Sequence, residues 1–331
     1  MKIESIVNRL QTEDDKLLVT RAYNYIKEKV NTEESLNRIL EISNTLLDFY
    51  ADGITVAGSM LSVLINIGVT KEEIEKEFSE ELGNIASATS RFNNYPKDVL
   101  SELLELLPEG KKVLLIKLCE RYYDLEKEDD NLSTKHLLAQ DTIDYLAPLA
   151  LKFRFGYIKS RLEDLCLYYL EPDTYSFIIE QLGTNPSNLK VNLAYMKASI
   201  ESILLQNNIN AVIKSRVKNI YSIYSKMTSG KCFDDIYDIL ALRILVEEES
   251  DCSRVCDLIH SQYEMLPDRF KNYIESPKDN MYQSLHTTVV GVDGRLYEIQ
   301  IRTNEMNKTA ETGTASYIKY KENKVFPNNK T

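Results

Sequence analysis

Two lysines and a serine recur at helical spacing in the segment SRVKNIYSIYSKM, residues 215–227. Lys218, Ser222 and Lys226 are four residues apart, so a helix through this segment would place all three on one side. Ammonium and hydroxyl groups in such a row can hold a chain of phosphates. The same spacing is typical of a solvated helix face, and that simpler interpretation is favoured for the segment by itself.

A second set of polar residues alternates with apolar ones in RLYEIQIRT, residues 295–303. In a strand, Glu298, Gln300 and Arg302 would share one face, and the tyrosine and isoleucines between them would share the other. Three polar side chains on one face are unusual if that face is buried and ordinary if it meets water. The spacing alone favours the solvated face.

The richest cluster of hydrogen-bonding side chains lies in RFKNYIESPKDNMYQSLHTT, residues 269–288. Its members include Arg269, Lys271, Asn272, Lys278, Asn280, Tyr282, Gln283 and His286. A merely polar loop would rarely contain so little glycine and serine. This density of donors, together with two tyrosines, suits a pocket for a flat, hydrogen-bonding base that carries phosphates.

An acidic residue precedes an apolar run in FDDIYDILALR, residues 233–243. The run 237–247 predicts a buried strand with Asp238 at its head. A carboxylate at the entrance to a strand is a common position for a metal ligand, and a turn or helix-end Asp has the same appearance. A regular strand would place Asp238 and Arg243 on opposite faces, so a site that used both residues would need Asp238 before the strand or at a bulge.

The charge of the chain limits the partners that it can bind. The 331 residues include 40 Lys and Arg against 51 Asp and Glu, and the net charge of −11 falls within residues 1–210. We expect no DNA partner, because affinity for a nucleic-acid backbone needs many unopposed cations. A local cluster of cations can still hold a nucleotide.

The chain is expected to be cytoplasmic and to have no membrane segment. No stretch approaches the ~18 apolar residues that a membrane span needs, and the N-terminal sequence MKIESIVNRLQTEDDK has no apolar signal segment. The five cysteines are few and odd in number, which favours reduced thiols over a disulfide framework.

Hydrophobic periodicity divides the chain into a helical part and a mixed part. Apolar residues recur at helical spacing up to about residue 205, and strands appear after about residue 211. The segments SLHTTVVGV and RLYEIQIRT flank Asp293-Gly294 and predict a hairpin, whereas SDCSRVCDLIHSQY predicts a helix. The expected fold class is α+β, with an all-helical N-terminal region followed by a mixed-sheet domain.

Together and in this order, these segments resemble the synthetase domain of the RelA/SpoT family, which makes the alarmone (p)ppGpp. The strings that carry the resemblance are RVKNIYSIYSKM, FDDIYDILALRILV, LPDRFKNYIESPKDNMYQSLHTTVVG, YEIQIRT and AETGTASYIKYKE, within about 211–322. Residues 141–172 resemble the family's helical bridge, and GVTKEEIEKEFSEELGNI and LLIKLCERYYDLEKE resemble parts of its hydrolase domain.

The resemblance implies three domains. A degenerate hydrolase-like helical domain of the HD type would cover residues 1–135, a helical bridge 136–205, and a synthetase domain with a nucleotidyltransferase-like mixed sheet 206–331. The implied reaction transfers the β,γ-pyrophosphoryl group of ATP to the 3′-hydroxyl of GDP or GTP, with Mg²⁺ as cofactor. Such a transfer depends on neutralising charge and orienting the nucleophile.

The resemblance also implies a role for each matching residue. Asp238 and Glu298 would bind Mg²⁺, Glu298 would also draw the proton from the acceptor hydroxyl, and Lys218 would act beside them. For ATP, the implied residues are Arg216 and Arg243 on the adenine and Lys218, Ser222 and Lys226 on the phosphates. For GDP or GTP, they are Arg269, Lys271, Lys278, Asn280, Tyr282, Gln283, His286 and Gln300, with Tyr282 stacked on the guanine.

The hydrolase-like part departs from the family pattern at its metal site. Where bifunctional relatives have a His-Asp pair followed by Glu-Asp, this chain has Ser62-Val63 and Asn66-Ile67, and residues 1–135 contain no histidine. Glu120 and Asp124 stand where Asp and Asn are usual. Without imidazole ligands, we expect a domain that has lost hydrolase activity and acts as scaffold and regulator.

Two other functions remain as alternatives. One is a catalytically silent nucleotide-binding regulator, which the presence of Asp238 and Glu298 disfavours. The other is a different polymerase-β-like nucleotidyltransferase, which would usually show a Gly-Ser pair followed by paired acidic strand residues.

The synthetase segments depart from the family pattern at Ser215, Val217 and Asn272, where Gly, Pro and Asp are usual. These departures could alter the acceptor preference or the rate. Ribosome contact is expected only if further C-terminal domains exist, as in long family members.

Overall fold

The computed structural model describes residues 2–30, 32–127 and 131–312, and the chain divides into two compact units between Leu170 and Glu171. The three-part division after residues 135 and 205 stays a prediction. The α+β fold class is confirmed, because the first unit is helical and the second contains a mixed sheet. No helix in the described ranges is long and apolar enough to cross a membrane. The string AETGTASYIKYKE lies outside the described residues from Gly313 onward.

The helices of the first unit share one apolar core that extends from Ile6 to Cys166. They are α1 (Ile3–Val7), α2 (Glu13–Lys27), α3 (Glu33–Asp48), α4 (Gly53–Asn66), α5 (Lys71–Glu77), α6 (Glu80–Arg91), α7 (Lys97–Leu106), α8 (Gly110–Glu126), α9 (Leu132–Asp141), α10 (Ala147–Lys152) and α11 (Gly156–Leu170). A 3-10 turn, Phe92–Asn94, follows α6, and a π-helical turn, Thr142–Leu146, joins α9 to α10. Side chains of Thr, Asp or Ser accept the backbone N–H that each of the helices α2 to α6 leaves free in its first turn.

Helix α4 is buried on nearly all sides because its sequence, GITVAGSMLSVLIN, is apolar around the whole helix. Gly58 faces Ile85 of α6, and a Cβ at this glycine would come within 2.4 Å of the isoleucine side chain. Ser62 is buried and donates its hydroxyl to the Ser59 carbonyl, 2.7 Å away. Small residues therefore let α4 and α6 pack closely here.

The second unit begins with two helices and continues as a sheet with helices between its strands. Its elements are α12 (Pro172–Leu182), α13 (Pro186–Gln206), β1 (Ala211–Val217), α14 (Ile220–Thr228), β2 (Leu240–Val246), α15 (Glu249–Gln262), β3 (Lys271–Asn272), β4 (Leu285–Val290), β5 (Leu296–Thr303) and α16 (Asn304–Thr312). Two 3-10 turns, Phe233–Asp235 and Pro267–Arg269, precede β2 and β3.

The five strands form one sheet in the order β1-β2-β5-β4-β3, in which only β2 and β5 run parallel. Alternate side chains such as Ile244 and Ile299 are buried on one face. Helix α15 lies on that face, where His260 Nε2 is 2.9 Å from the hydroxyl of the buried Thr287, directly opposite Ile299. Because helix α15 and the apolar side chains occupy one face of the sheet, the polar side chains lie on the opposite face.

The structure confirms the predicted strand at 237–247, the hairpin around Asp293-Gly294 and the helix that became α15. The helix predicted through Lys218 is wrong. Residues up to Val217 form β1, and α14 begins only at Ile220. The Lys218 N–H donates to the Ile239 carbonyl at 2.8 Å and extends the pairing of β1 with β2, which holds this residue outside the helix.

Candidate active site

A row of polar side chains crosses the whole sheet of the second unit. Lys214 of β1 pairs with Arg243 of β2, Arg243 with Gln300 of β5, Gln300 with His286 of β4, and His286 with Lys271 of β3. Directly paired residues lie on the same side of a sheet, so these five side chains share one face, here called the polar face. The alternation predicted for β5 is thus confirmed. The neighbouring strands β2 and β4 add Arg243 and His286 to the same face as Gln300.

Glu298 lies on the polar face beside this row, paired with Ala241 on one side and Thr288 on the other. Its Oε1 is 3.3 Å from His286 Nδ1, and its Oε2 accepts a hydrogen bond of 3.4 Å from Gln300 Nε2. Arg216 pairs with Ala241 from β1 and therefore shares this face. The Glu298 carboxylate is only loosely held, so it can accept a proton or ligate a cation.

Asp238 occupies a turn just before β2, as its spacing from Arg243 predicted. Its Oδ2 is 2.8 Å from Lys218 Nζ, and its Oδ1 is 2.7 Å from Lys226 Nζ. Lys218 and Lys226 therefore meet at one carboxylate, although they do not share a helix. Ser222 is not part of this contact, because its hydroxyl donates to the Asn219 side chain.

The two lysines change the ionisation of this cluster. Burial would raise the pKa of Asp238, but attraction to Lys218 and hydrogen bonds from Lys218 and Lys226 lower it to about 2. Burial lowers the pKa of Lys218, and repulsion by Lys226 and Arg216 adds to that effect, while Asp238 opposes it. The two lysines and the aspartate together carry a net charge of +1. This excess of positive charge suits the binding of a phosphate chain.

The carboxylates at this site fit Mg²⁺ only together with phosphate. Mg²⁺ is usually bound by one or two carboxylates plus the phosphates of a substrate, in preference to a complete cage of protein ligands. Asp238 and Glu298 supply such carboxylates. Among the residues that the structure describes, no group of three or more His, Cys, Asp or Glu side chains forms a metal site. These two carboxylates alone would not complete the coordination of Mg²⁺, so the phosphates of a substrate would have to supply further ligands.

Three rings form a cluster at the β4 end of the polar face. The ring centroids of Tyr273 and His286 are 5.3 Å apart, those of Tyr282 and His286 5.7 Å, and those of the two tyrosines 6.2 Å, all nearly edge to face. The ammonium of Lys278 lies 4.5 Å from the Tyr273 centroid and 5.4 Å from that of Tyr282. Aromatic faces and a cation thus stand together, as binding of a phosphorylated base requires.

The other predicted acceptor residues lie in the loop before β4 or at its start. Asn280 Oδ1 accepts from the Tyr282 N–H at 3.2 Å, and Gln283 Nε2 donates to the Ile274 carbonyl at 3.4 Å. Arg269 lies in the 3-10 turn before β3, with its guanidinium carbon 3.6 Å from the ring centroid of Tyr237. In the structure, Asn280 and Gln283 therefore shape the loop, and their roles towards a nucleotide stay predictions.

Asn272, which stands where the family commonly has Asp, serves the backbone. Its Oδ1 accepts from the N–H groups of Ile274 and Glu275, both at 3.1 Å. An aspartate carboxylate accepts hydrogen bonds in the same way. This departure therefore keeps the local turn and removes a negative charge beside the acceptor loop.

Helix α16 brings two residues to the polar face that the sequence analysis did not select. Arg243 Nη1 is 2.9 Å from Glu311 Oε1 and 3.4 Å from Asn307 Oδ1, which also accepts from Arg302 Nη2 at 2.7 Å. Burial and the nearby Arg243 lower the pKa of Arg302. Two guanidinium groups this close repel each other, and the Glu311 carboxylate offsets part of that repulsion.

Lys214 was also missed by the sequence analysis, whereas Tyr273 was counted there as one of the two tyrosines of residues 269–288 without a role of its own. The alternation of Lys214 and Arg216 in β1 was the available signal for Lys214, but the residues from Ser215 onward were interpreted as a helix, so the strand was not recognised. For Glu311, the sequence carried no signal, because its contact with Arg243 spans 68 residues.

In the first unit, the polar residues at the positions of the family's hydrolase metal site have hydrogen-bond or ion-pair partners within the unit. Asn66 accepts a hydrogen bond from Ser90, Asp124 pairs with Arg38, and Glu120 pairs with Lys117. Asp124, Glu120 and their partners line a cavity of about 400 Å³ that Asp141 also lines. Each cation that lines this cavity pairs with a carboxylate of the unit, and Lys97 and Arg121 share Asp141.

Comparison with known proteins shows which family and which relatives this chain resembles. Residues 215–325 match the model of the region found in RelA/SpoT proteins. A GTP pyrophosphokinase rsh of Brucella suis is 31% identical over 96% of this chain and 44% of its own length. A probable guanosine-3′,5′-bis(diphosphate) 3′-pyrophosphohydrolase of Synechocystis sp. is 35% identical over 85% of this chain and 39% of its own length.

A solved GTP pyrophosphokinase family protein from Streptococcus pneumoniae is 29% identical, with a TM-score of 0.36, over 42% of this chain and 77% of that one. The chain spans less than half the length of the sequence relatives named above. Their similarity nevertheless covers both compact units, and the matched region contains every residue of the polar face named above except Lys214. The chain belongs to the RelA/SpoT family.

Proposed function

We propose that this protein is a GTP diphosphokinase, which transfers the β,γ-pyrophosphoryl group of ATP to the 3′-hydroxyl of GDP or GTP and so makes (p)ppGpp. The observation that carries the proposal is the placement of Asp238 with its two lysines and Glu298 with its histidine around one sheet, within the matched family region. Relatives named GTP pyrophosphokinase support the same reaction.

The donor ATP would bind at the cluster of Lys218, Lys226 and Asp238. The two ammonium groups that now contact Asp238 would hold the phosphate chain, and Arg216 and Arg243 would stack on the adenine, since a planar guanidinium stacks where an ammonium cannot. Ser222 would add a hydroxyl from the first turn of α14. Asp238 and Glu298 would hold Mg²⁺, which when bound neutralises charge on the transferred group.

The acceptor GDP or GTP would bind at the ring cluster. Tyr282 would stack on the guanine, and Lys271, Lys278 and Arg269 would lie near the phosphates. The remaining acceptor residues in the proposal are Asn280, Gln283, His286 and Gln300. Glu298 would take the proton of the 3′-hydroxyl on a carboxylate oxygen, because an alcohol is a poor nucleophile near neutral pH.

The first unit would act as scaffold and regulator without hydrolase activity. Residues 1–135 contain no histidine, Ser62 serves helix packing, and Glu120 and Asp124 are neutralised by neighbouring cations. Incubation of the protein with ppGpp and Mn²⁺ should release no pyrophosphate. Turnover that persists through repeated purification would contradict this part of the proposal.

The main test is a turnover assay with ATP, Mg²⁺ and either GDP or GTP, followed by separation of the nucleotides. AMP and ppGpp or pppGpp should form in equal amounts, and Glu298→Gln, prepared in parallel, should form neither. Binding of both nucleotides without any product would favour a silent regulator.

We also propose that the protein is cytoplasmic, since all five cysteines are free thiols. Its partners would be these nucleotides and not DNA, since the chain is acidic.

A further inference from the structure

Three side chains of the second unit form a continuous chain from an aromatic ring to a carboxylate. The hydroxyl of Tyr282 is 2.9 Å from His286 Nε2, and the Nδ1 of the same imidazole is 3.3 Å from Glu298 Oε1. Tyr282 precedes β4, His286 lies in it, and Glu298 lies in β5. Each nitrogen of the imidazole thus faces a different oxygen.

The chemistry of these groups fixes the direction of the chain. An ionised carboxylate can only accept hydrogen bonds, so His286 Nδ1 must carry the proton to bond with Glu298. In a neutral imidazole the Nε2 is then an acceptor, and the Tyr282 hydroxyl must donate to it. The tyrosine hydroxyl therefore favours the tautomer that can donate to Glu298. The 3.3 Å separation is long for this bond, as is common before substrates bind.

The imidazole and the carboxylate are also held from other sides. Tyr273 packs edge to face on His286 at 5.3 Å, and the His286 side chain is only 17% exposed. Gln300 donates to the second oxygen of Glu298. His286 and Gln300 are directly paired across β4 and β5, so rigid strands carry both groups that contact the carboxylate.

We propose that His286 is a positioning residue for Glu298 and that the Tyr282 hydroxyl fixes its tautomer. The inference rests on the proposed function, in which Glu298 removes the proton of the acceptor hydroxyl and Tyr282 stacks on the acceptor base. One tyrosine then has two separable tasks: its ring binds the acceptor and its hydroxyl orients the group that activates that acceptor. In the reaction, the proton of the 3′-hydroxyl moves to Glu298, and the His286 proton stays on Nδ1.

Removal of the hydroxyl alone separates the two tasks. Tyr282→Phe keeps the ring and should leave KM for GDP unchanged, while kcat falls about 3- to 10-fold, the usual effect of one hydrogen bond. Tyr263→Phe is the matched control, because its hydroxyl contacts Ser199 of α13 at 2.7 Å, and it should leave both constants unchanged. A raised KM with unchanged kcat in Tyr282→Phe would overturn the proposal.

Substitutions of His286 test the order of the chain. His286→Asn can place an amide N–H near the position of Nδ1 and should retain more activity than His286→Ala. In either background, Tyr282→Phe should have little further effect on kcat, because the role inferred for the hydroxyl passes through the imidazole and not through its other neighbours, Ser284 and Arg302. Independent effects that multiply in the double variants would show that the two residues act separately and would overturn the proposal.

A measurement without turnover distinguishes failure of this inference from failure of the proposed function. The chain has three histidines, so ¹⁵N spectra of the imidazoles can be assigned with the His286→Asn variant. His286 should be the Nδ1–H tautomer in the wild type and should shift towards Nε2–H in Tyr282→Phe. An Nε2–H wild type would overturn the inference even if alarmone is made. The expected tautomer in a protein that makes no alarmone would refute the reaction and leave the hydrogen-bonded chain in place.

Discussion

Lys218 and Asp238 form a buried ion pair, with 2.8 Å between Nζ and Oδ2, at the point where β1 ends and β2 begins. Lys218 is only 9% exposed, and its backbone N–H is fixed by the Ile239 carbonyl. The backbone thus determines where the ammonium lies, and the ammonium determines where the carboxylate lies. Asp238, which we propose as a metal ligand, therefore also fixes the position of Lys218, which we propose as a phosphate-binding residue.

Asp238→Asn should destabilise the protein as well as inactivate it. At pH 7 the change leaves Lys218 buried beside Lys226 without its counter-charge, and the shift of the Asp238 pKa from 3.8 to about 2 corresponds to about 2–3 kcal/mol. Urea unfolding should therefore show a clear loss of free energy of unfolding. Lys226→Met is the matched control and should lose less, because Lys226 is more exposed and Asp238 keeps Lys218.

The pH dependence of this difference has a defined sign. The pKa of Asp238 is lowered from 3.8 to about 2, so its stabilising effect is present above 3.8 and is lost as the pH falls towards 2. The gap in stability between the wild type and Asp238→Asn should accordingly narrow from pH 7 to pH 3. Equal stability of the two proteins at pH 7 would show that the ion pair contributes nothing.

Local patterns in the sequence predicted much of the second unit. The β-branched run of β2, the turn around Asp293-Gly294 and the helical spacing of α15 each depend on neighbours in sequence, and each was confirmed. The placement of Asp238 before β2 was one of two positions expected from the opposite parity of Asp238 and Arg243, once the resemblance had assigned both residues to one site. Family resemblance, and not the spacing, selected the particular residues of the site.

The sequence did not predict contacts that depend on the register of distant strands. Lys218, Ser222 and Lys226 have helical spacing, yet the pairing of β1 with β2 keeps Lys218 out of α14. Likewise, the contacts of Arg243 with Glu311 and of Tyr282 with His286 depend on how α16 and the loop before β4 fold back on the sheet. Tertiary pairing overrides local periodicity at these places.

Tyr282→Ala should weaken acceptor binding and spare the donor. Stacking of a base on an aromatic ring contributes about 1–3 kcal/mol, so affinity for GDP and GTP should fall about 5- to 150-fold. ATP affinity should change much less, because Lys218, Lys226 and Asp238 have no hydrogen bond or ion pair with Tyr282 among the described residues, and Arg243 acts on Tyr282 through its charge and not through stacking. Calorimetric titration of each nucleotide would measure this, and the reverse preference would exchange the two subsites.

Thiol labelling should distinguish one cysteine from the other four. Cys232 is exposed, whereas Cys119, Cys166, Cys252 and Cys256 are buried. Burial raises the pKa of Cys166 and Cys252 to about 12 and that of Cys256 to about 11, which leaves almost no reactive thiolate at neutral pH. Native alkylation followed by mass spectrometry should modify Cys232 alone, and Cys232→Ser should remove the fast reaction. Rapid labelling of Cys252 or Cys256 would contradict their packed positions in α15.

Glu298→Gln is the decisive variant for the mechanism. The substitution keeps the shape of the side chain and its capacity for hydrogen bonds on the polar face, but it removes the charge that accepts a proton and ligates a cation. The loose contacts of Glu298 with His286 and Gln300 are far weaker than those of Asp238, so we expect normal folding. Both nucleotides should still bind.

The chemical step should nevertheless fail in Glu298→Gln. Loss of a general base typically lowers the rate by about 10²–10⁴-fold, and loss of a metal ligand should add to this. Rapid-quench measurement of product in a single turnover, with saturating ATP and GDP, separates chemistry from binding. Thr288→Val, at the residue paired with Glu298 across the hairpin, is the control for disturbance of the face. If Glu298→Gln keeps more than about a tenth of the wild-type rate, too much for a missing base, then the proton is removed by another group and the reactive centre lies elsewhere on the sheet.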